Sequence, residues 1–336
     1  MSGFFYDVPF AGGEGDYSVL SHLNGAHSIG EGILGFLTMV DSNALRCVCK
    51  EFRETVMDFP WMDANSWMSG NVQAWRMAFP RARAVNVSGR DDLFDSDFVY
   101  IRGDARACLH TLDMSRCRRV TDAAFVHLRG IQELYMNDCD QATITDAAFV
   151  HLRGIHSLNM WGCNQETITD AAFVHLRGIQ TLNMSECNQA TITDAAFVHL
   201  RGIHSLDMGG CYQETITDAA FVHLRGIHSL KMANCTQETI TDAAFVHLRG
   251  IHTLNMSWCD QPTVTDAAFV HLRGIQTLNM GYCDQAGITK AAIAHLHGIH
   301  TLDTEECSRN VRNAAAEMMG VSYLILDYNE DSGGDF

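Results

Sequence analysis

Residues 145–163, TDAAFVHLRGIHSLNMWGC, return almost unchanged along most of the chain, and their reading decides the fold. The opening threonine stands at Thr121, Thr145, Thr169, Thr193, Thr217, Thr241, Thr265 and Thr289, a fixed step of 24 residues. Such a step marks a solenoid, a stack of like units each touching only its neighbours. Within a unit the threonine is a helix N-cap, the next aspartate sits where the helix dipole favours an anion, and Arg-Gly supplies a C-terminal cation and a stop. That pattern predicts a helix of barely two turns. The Leu and Met that follow alternate with a polar residue, as in a strand with one side in the core and the other in solvent. Core groups such as Ile144, Phe149, Leu152, Ile155, Leu158, Met160 and Cys163 are worth roughly 1.5–3 kcal/mol each when buried. Ordering the backbone costs roughly 1–2 kcal/mol per residue, a larger sum for one unit alone. Neighbours on both sides must therefore complete the burial.

Working outward, Ala84 to Gly89 reads as the first strand of the array, and Asp95 to Gly103, DSDFVYIRG, echoes TDAAFVHLRG with Phe98, Ile101 and Gly103 in place. Strands centred on Val85, Leu112, Leu134, Leu158, Leu182, Leu206, Leu230, Leu254, Leu278, Leu302 and Leu324 predict about eleven rungs over residues 84–328. Residues 63–83, with Trp67, Trp75 and Phe79, are expected to form a helical cap. Residues 1–29 carry Gly12, Gly13 and Gly15 and are expected to be a flexible arm, and 329–336 an acidic, frayed tail. The start has no basic region before an apolar run, and no stretch approaches the length of a membrane span. The expectation is a soluble, monomeric protein of the cytoplasm or nucleus.

The formal charge of −17 argues against a duplex nucleic-acid binder and for basic partners, although acidity also serves solubility. Nine of the 12 cysteines recur with the repeat, at Cys117, Cys139, Cys163, Cys187, Cys211, Cys235, Cys259, Cys283 and Cys307. In register their side chains point the same way, so free, buried thiols bonded weakly to backbone carbonyls are expected, not disulfides. No C-x-x-C pair suggests zinc. The row of His127, His151, His175, His199, His223, His247, His271 and His295 brings no second ligand and reads as a half-exposed helix face, so no metal and no cofactor is expected. Gln141, Gln165, Gln189, Gln213, Gln237, Gln261 and Gln285 suggest a stacked amide ladder. Identical copies along a rod do not converge on one pocket, and no phosphate-binding glycine motif is present, so the chain is expected not to be an enzyme.

Two resemblances follow from these motifs. The consensus I-x-x-L-x-M-x-x-C-x-x-x-x-I-T-D-x-x-F-x-x-L is similar to the cysteine-containing class of leucine-rich repeats. It implies an α/β horseshoe with a parallel sheet on the concave side and short helices on the convex side. Residues 30–62 read as a small all-α module, with Ile33, Phe36 and Leu37 on one short helix and Leu45, Val48, Phe52 and Val56 on the next. This stretch resembles the F-box in Ile33, Leu34, Phe36, Leu37, Asp41, Leu45, Val48, Cys49, Lys50, Phe52, Arg53, Pro60 and Trp61, although the Leu-Pro pair that usually opens that family is absent. An F-box ahead of leucine-rich repeats implies the substrate-recognition subunit of a cullin-based (SCF-type) ubiquitin ligase. Ile33, Leu34, Phe36, Leu37, Leu45, Val48, Phe52 and Trp61 would then hold the adaptor. The contrasting reading is a scaffold or inhibitor with a helical cap and no part in ubiquitin transfer.

The repeats differ from one another mainly between and after the core Leu and Met. Those columns hold Tyr135, Asp138, Trp161, Glu186, Asp207, Lys231, Trp258, Tyr282, Asp303, Glu305 and Glu306. Carboxylates outnumber cations there, and aromatics anchor interfaces and cations. The columns read either as a concave site for a basic polypeptide or as drift in a solvated face.

Overall fold

The computed structural model describes residues 39, 42, 50–62, 64, 67–68, 70–102 and 109–320. The expected arm, the eleventh rung at Leu324 and the acidic tail lie outside them. So do Ile33, Leu34, Phe36, Leu37, Leu45, Val48 and the side chain of Phe52.

The chain divides into two units, residues 1–59 and 60–336. Described in the first are Met39, whose carbonyl accepts from Ser42 Oγ at 2.8 Å, and the helix Lys50–Asp58, which buries Val56. Trp61, expected in the helical module, belongs to the second unit. There it is only 1% exposed, edge-on to Phe79, and its carbonyl accepts from the amides of Arg83 and Ala84 as they enter the first strand.

The second unit is one sheet of ten parallel strands in sequence order: β1 Ala84–Asn86, β2 Thr111–Asp113, β3 Glu133–Tyr135, β4 Ser157–Asn159, β5 Thr181–Asn183, β6 Ser205–Asp207, β7 Ser229–Lys231, β8 Thr253–Asn255, β9 Thr277–Asn279 and β10 Thr301–Asp303. The register sets each core leucine beside the next, Leu134 on Leu158 on Leu182. The helical half of a unit is one α-turn, Asp146–Phe149, running into a 3₁₀ turn, Val150–Leu152. Gly154, at φ 82°, then releases the chain toward β4. Strands stack about 4.8 Å apart whereas packed helices need about 8–10 Å, so the array curves with the sheet inside, a horseshoe. Between the layers lie the buried Ile144, Phe149, Leu152, Ile155, Leu158, Met160 and Cys163 and their equivalents.

The units are tied by polar ladders. Thr145 Oγ accepts from the Ala147 amide as an N-cap, as its sequence position predicts. The aspartate does more than complement a dipole. Asp122 accepts from the Thr145 amide and from its hydroxyl, both at 2.7 Å, and so clamps one unit to the next. The pattern begins with Asp95 on Thr121 and runs to Asp266 on Thr289. The column thiols are free, and each bonds a backbone carbonyl, as Cys163 does with Met136 at 3.1 Å. The glutamines do not stack amide on amide. Gln165 and Gln189 instead donate to the carbonyls of Cys139 and Cys163, at 2.9 and 3.1 Å, because a buried carbonyl freed where the strand turns needs a donor.

Candidate functional site

The end of each strand positions the columns that vary. The residue between Leu and Met is chiefly Asn or Asp, and its Oδ1 accepts from the amide two residues on. Asn183 takes the Ser185 amide at 2.9 Å, Asp207 that of Gly209 at 3.1 Å and Asp303 that of Glu305 at 3.0 Å. Asp207 and Asp303, expected to meet a partner, thus spend one oxygen closing their own turns. Tyr135 and Lys231 replace this cap in β3 and β7.

Three residues past this cap position the backbone turns left-handed so that the next cysteine can drop into the core. Gly89, Gly162 and Gly210 sit there at φ 67–69°, where glycine carries no steric penalty. At the other seven turns the position holds Arg116, Asp138, Glu186, Asn234, Trp258, Tyr282 and Glu306, at φ 53–62°. The turn is locked by its amide: Asp138 donates to Trp161 O at 2.8 Å, and Trp258 to Gly281 O at 2.9 Å. For residues other than glycine this conformation costs roughly 1–2 kcal/mol, and less for Asp138 and Asn234, whose short polar side chains enter it more readily.

These side chains form one rim. Arg116 pairs with Asp138 at 2.8 Å, and Lys231 pairs with Asp207 at 3.5 Å. Asp138 and Glu186 lean over bare glycines: a Cβ on Gly162 would come within 2.7 Å of Asp138 Oδ1, and one on Gly210 within 3.1 Å of Glu186 Cγ. Trp258 and Tyr282 stack at 3.9 Å and 6°, with Trp258 53% exposed. Glu305 beside the Tyr282 hydroxyl pushes it above the usual tyrosine range, assisted by burial and by Glu306. Glu186, Glu305 and Glu306 are exposed, whereas Trp161 and Tyr135 are half-buried. Burial raises the Tyr135 phenol.

Two features of this face escaped the sequence reading. Tyr212, one residue past its cysteine, is 45% exposed and its hydroxyl accepts from Asn234 Nδ2. Before the strands, His204, His228 and His252 stack with ring centres 4.6 and 4.1 Å apart. Their signal was the one run of three consecutive histidines in a column that elsewhere mixes His and Gln. On the helical side the expected half-exposed histidine row is linked by arginines: Arg177 Nε donates to His199 Nδ1 at 3.1 Å. Among the described residues no cluster of three or more metal-binding side chains occurs, and no helix is long and apolar enough to cross a membrane.

No family model and no curated sequence matches the chain. Solved structures do. A chain of the Toll–Spatzle complex of Drosophila, glycosylated form, aligns with TM-score 0.55 and 15% identity over 76% of this chain and 39% of that one. A chain of the TLR13–ssRNA13 complex aligns with TM-score 0.54 and 17% identity over 69% of this chain and 37% of that one. This chain thus spans less than two-fifths of either. A chain of the yeast Rad7–Elc1 complex aligns over 87% of this chain and 92% of that one, but with TM-score 0.44 and 13% identity, too loosely to carry an argument. With ten in-register strands, the first nine each followed by a short helix, the likeness establishes the fold of the second unit as a leucine-rich-repeat solenoid.

Proposed function

We propose that the chain is a protein-interaction subunit whose concave rim receives a basic polypeptide segment, and that residues 30–62 join it to the adaptor of a cullin-based ubiquitin ligase. The first half of this reading is carried by the left-handed turns. Three of them hold glycine without loss of the fold, yet seven hold large or polar side chains in a conformation that costs stability. Strain kept where glycine is tolerated marks positions with a task beyond folding. The charge points to the partner. Among the similar folds one is seen with RNA and one with a protein, and a rim where Glu186, Glu305 and Glu306 have no ion-pair partner among the described residues, on a chain of charge −17, repels the former. The nine unpaired thiols suit a reducing compartment, the cytoplasm or nucleus.

The adaptor half rests on the F-box-like residues alone. In this reading catalysis belongs to partner subunits, because identical units spread along a curved sheet do not converge on one pocket. The test is a pull-down of the purified chain with the adaptor, comparing wild type with a Val48→Asp, Phe52→Asp variant that retains its circular dichroism. Binding lost in the variant is expected. No binding by folded wild type would leave a scaffold or inhibitor without ubiquitin transfer. The rim is tested separately: Trp161→Ala with Trp258→Ala should weaken every basic partner recovered, and unchanged binding would assign the varied columns to drift.

A further inference from the structure

This acidic chain carries one strip that is basic along its whole length. Over residues 126–133 and the equivalent stretch of every later unit, to 294–301, the only carboxylate is Glu133. Arginine recurs there once per unit from Arg129 to Arg273, a step of 24 residues, so stacking sets seven guanidiniums in one row. The row stands where the helical turn hands over to the strand, on the edge opposite the acidic rim at the strand exits.

The arginines are held in place yet keep their charge free. From Arg129 on His151 to Arg249 on His271, Nε donates to Nδ1 of the histidine in the next unit at 3.1–3.2 Å. An imidazole nitrogen that accepts carries no proton, so the bond orients the guanidinium without cancelling its charge. On Arg129 through Arg225 the Nη groups, which grip a carboxylate end-on, have no partner among the described residues. All seven arginines are exposed, and none makes an ion pair among the described residues. Val150 and its equivalents, three residues before each arginine and so on the same side of the 3₁₀ turn, are 39–41% exposed. They border the row with apolar surface, beside which an ion pair is less screened by water.

We propose that this edge binds an acidic polypeptide segment laid in extended form along the array. Neighbouring rungs are about 4.8 Å apart at the strands and packed helices about 8–10 Å apart, and the arginines stand between the two layers. Alternate residues of an extended chain lie roughly 6.6–6.8 Å apart, so one carboxylate can face each rung. A single-stranded nucleic acid fits less well, because its bases need aromatic faces to stack on. The strip holds no Phe, Tyr or Trp, and its imidazoles at His204, His228 and His252 already stack on one another. This site is independent of the rim and opposite to it in sign.

The test is fluorescence anisotropy of the full chain with a fluorescein-labelled peptide of alternating Asp and Ser, about 16 residues long, enough to span the row. The comparison probes are the matching Asn–Ser peptide and a thymidylate oligonucleotide of about 16 nucleotides. Saturable, salt-sensitive binding of the Asp–Ser peptide is expected, with weaker binding of the oligonucleotide and none of the Asn–Ser peptide. Arg177→Gln, Arg201→Gln and Arg225→Gln together should weaken it at least about fivefold. Lysine at the same three positions keeps the charge, the safer course for folding, but loses the planar fork and should weaken it about twofold or more. Glu305→Gln with Glu306→Gln, on the opposite edge, should leave the affinity within about twofold. No saturable binding, unchanged affinity in both arginine variants, or an oligonucleotide bound as tightly as the peptide would overturn the proposal, the last by assigning the strip to nucleic acid. Sedimentation showing wild type paired with itself through these arginines, and the glutamine variant monomeric, would overturn it too, as a contact between copies.

Discussion

Glu186 measures what the left-handed turns cost. It sits at φ 58°, is exposed, and its carboxylate makes no hydrogen bond among the described residues. Replacing it with glycine removes a conformational penalty of roughly 1–2 kcal/mol. The extra freedom that glycine gives the unfolded chain takes back roughly 0.4–1 kcal/mol. Loss of the Glu186 Cγ contact over Gly210 takes back a few tenths more, on the order of 0.1–0.2 kcal/mol per atom pair. Glu186→Gly should therefore stabilise the chain by about 0.5 kcal/mol. Glu186→Ala keeps the strain and loses the same contact, so it should fall below wild type, leaving alanine about 1 kcal/mol less stable than glycine. Urea unfolding followed by far-ultraviolet circular dichroism, with both variants in parallel, gives the order. An alanine variant as stable as the glycine variant would refute the claim of strain. A glycine variant that is more stable and binds a basic partner as well as wild type would separate the strain from function.

Other consequences concern the scaffold. Asp194→Ala removes two bonds to Thr217, at 2.8 and 2.7 Å, and should cost about 2 kcal/mol; a double-mutant cycle with Thr217→Val should show strong coupling, and a cost under about 0.5 kcal/mol would deny the clamp its role. His151, His175, His199, His223, His247 and His271 are held below their usual range, first by burial and then by the arginine of the preceding unit. The unfolded chain then binds more protons than the folded one below about pH 6.5. Their contribution is complete above that value and fades as pH falls through the lowered folded range, so the urea midpoint should drop between about pH 7.5 and 5.5, and a flat midpoint would contradict the assignment. Burial pushes the thiols of Cys139, Cys187 and Cys259 up to about 12, so the column cysteines should resist a thiol reagent until urea unfolds the array; reaction of several in the native chain would contradict their burial.

The periodicity of 24 made the fold legible, because one unit cannot bury its own core and the stack is the remaining solution. The threonine cap and the thiol-to-carbonyl bonds were legible too, being local or implied by register. What the sequence hid were contacts between equivalent positions of neighbouring units. Asp122 looked like a dipole residue because its partner, Thr145, is 23 residues away in the chain and adjacent only after stacking. The glutamines looked like a ladder of one another because the carbonyls that Gln141, Gln165, Gln189, Gln213 and Gln285 meet have no side-chain signature. The varied columns were found as columns, but their backbone was not. Glycine marks a left-handed turn at Gly89, Gly162 and Gly210, while Trp258 or Glu186 in the same conformation conceals it.

The two halves of the unit differ in what they can tolerate, and the magnitudes explain how strain is sustained. Every interface up to the one between Asp266 and Thr289 carries an Asp–Thr clamp of two charge-assisted bonds, together about 2 kcal/mol or more, beside a buried apolar core. Each non-glycine turn costs roughly 1–2 kcal/mol, comparable to one clamp and small beside the core of one unit. In a stack whose stability is a sum over neighbouring interfaces, seven such turns spread over ten rungs never concentrate enough cost to open one unit. The helical side must therefore stay nearly the same from copy to copy, since every unit depends on it, whereas the rim is free to differ. Selectivity can then be written turn by turn: Arg116 with Asp138 closes one stretch of rim with a matched ion pair, and Trp258 stacked on Tyr282 offers an exposed aromatic surface at another.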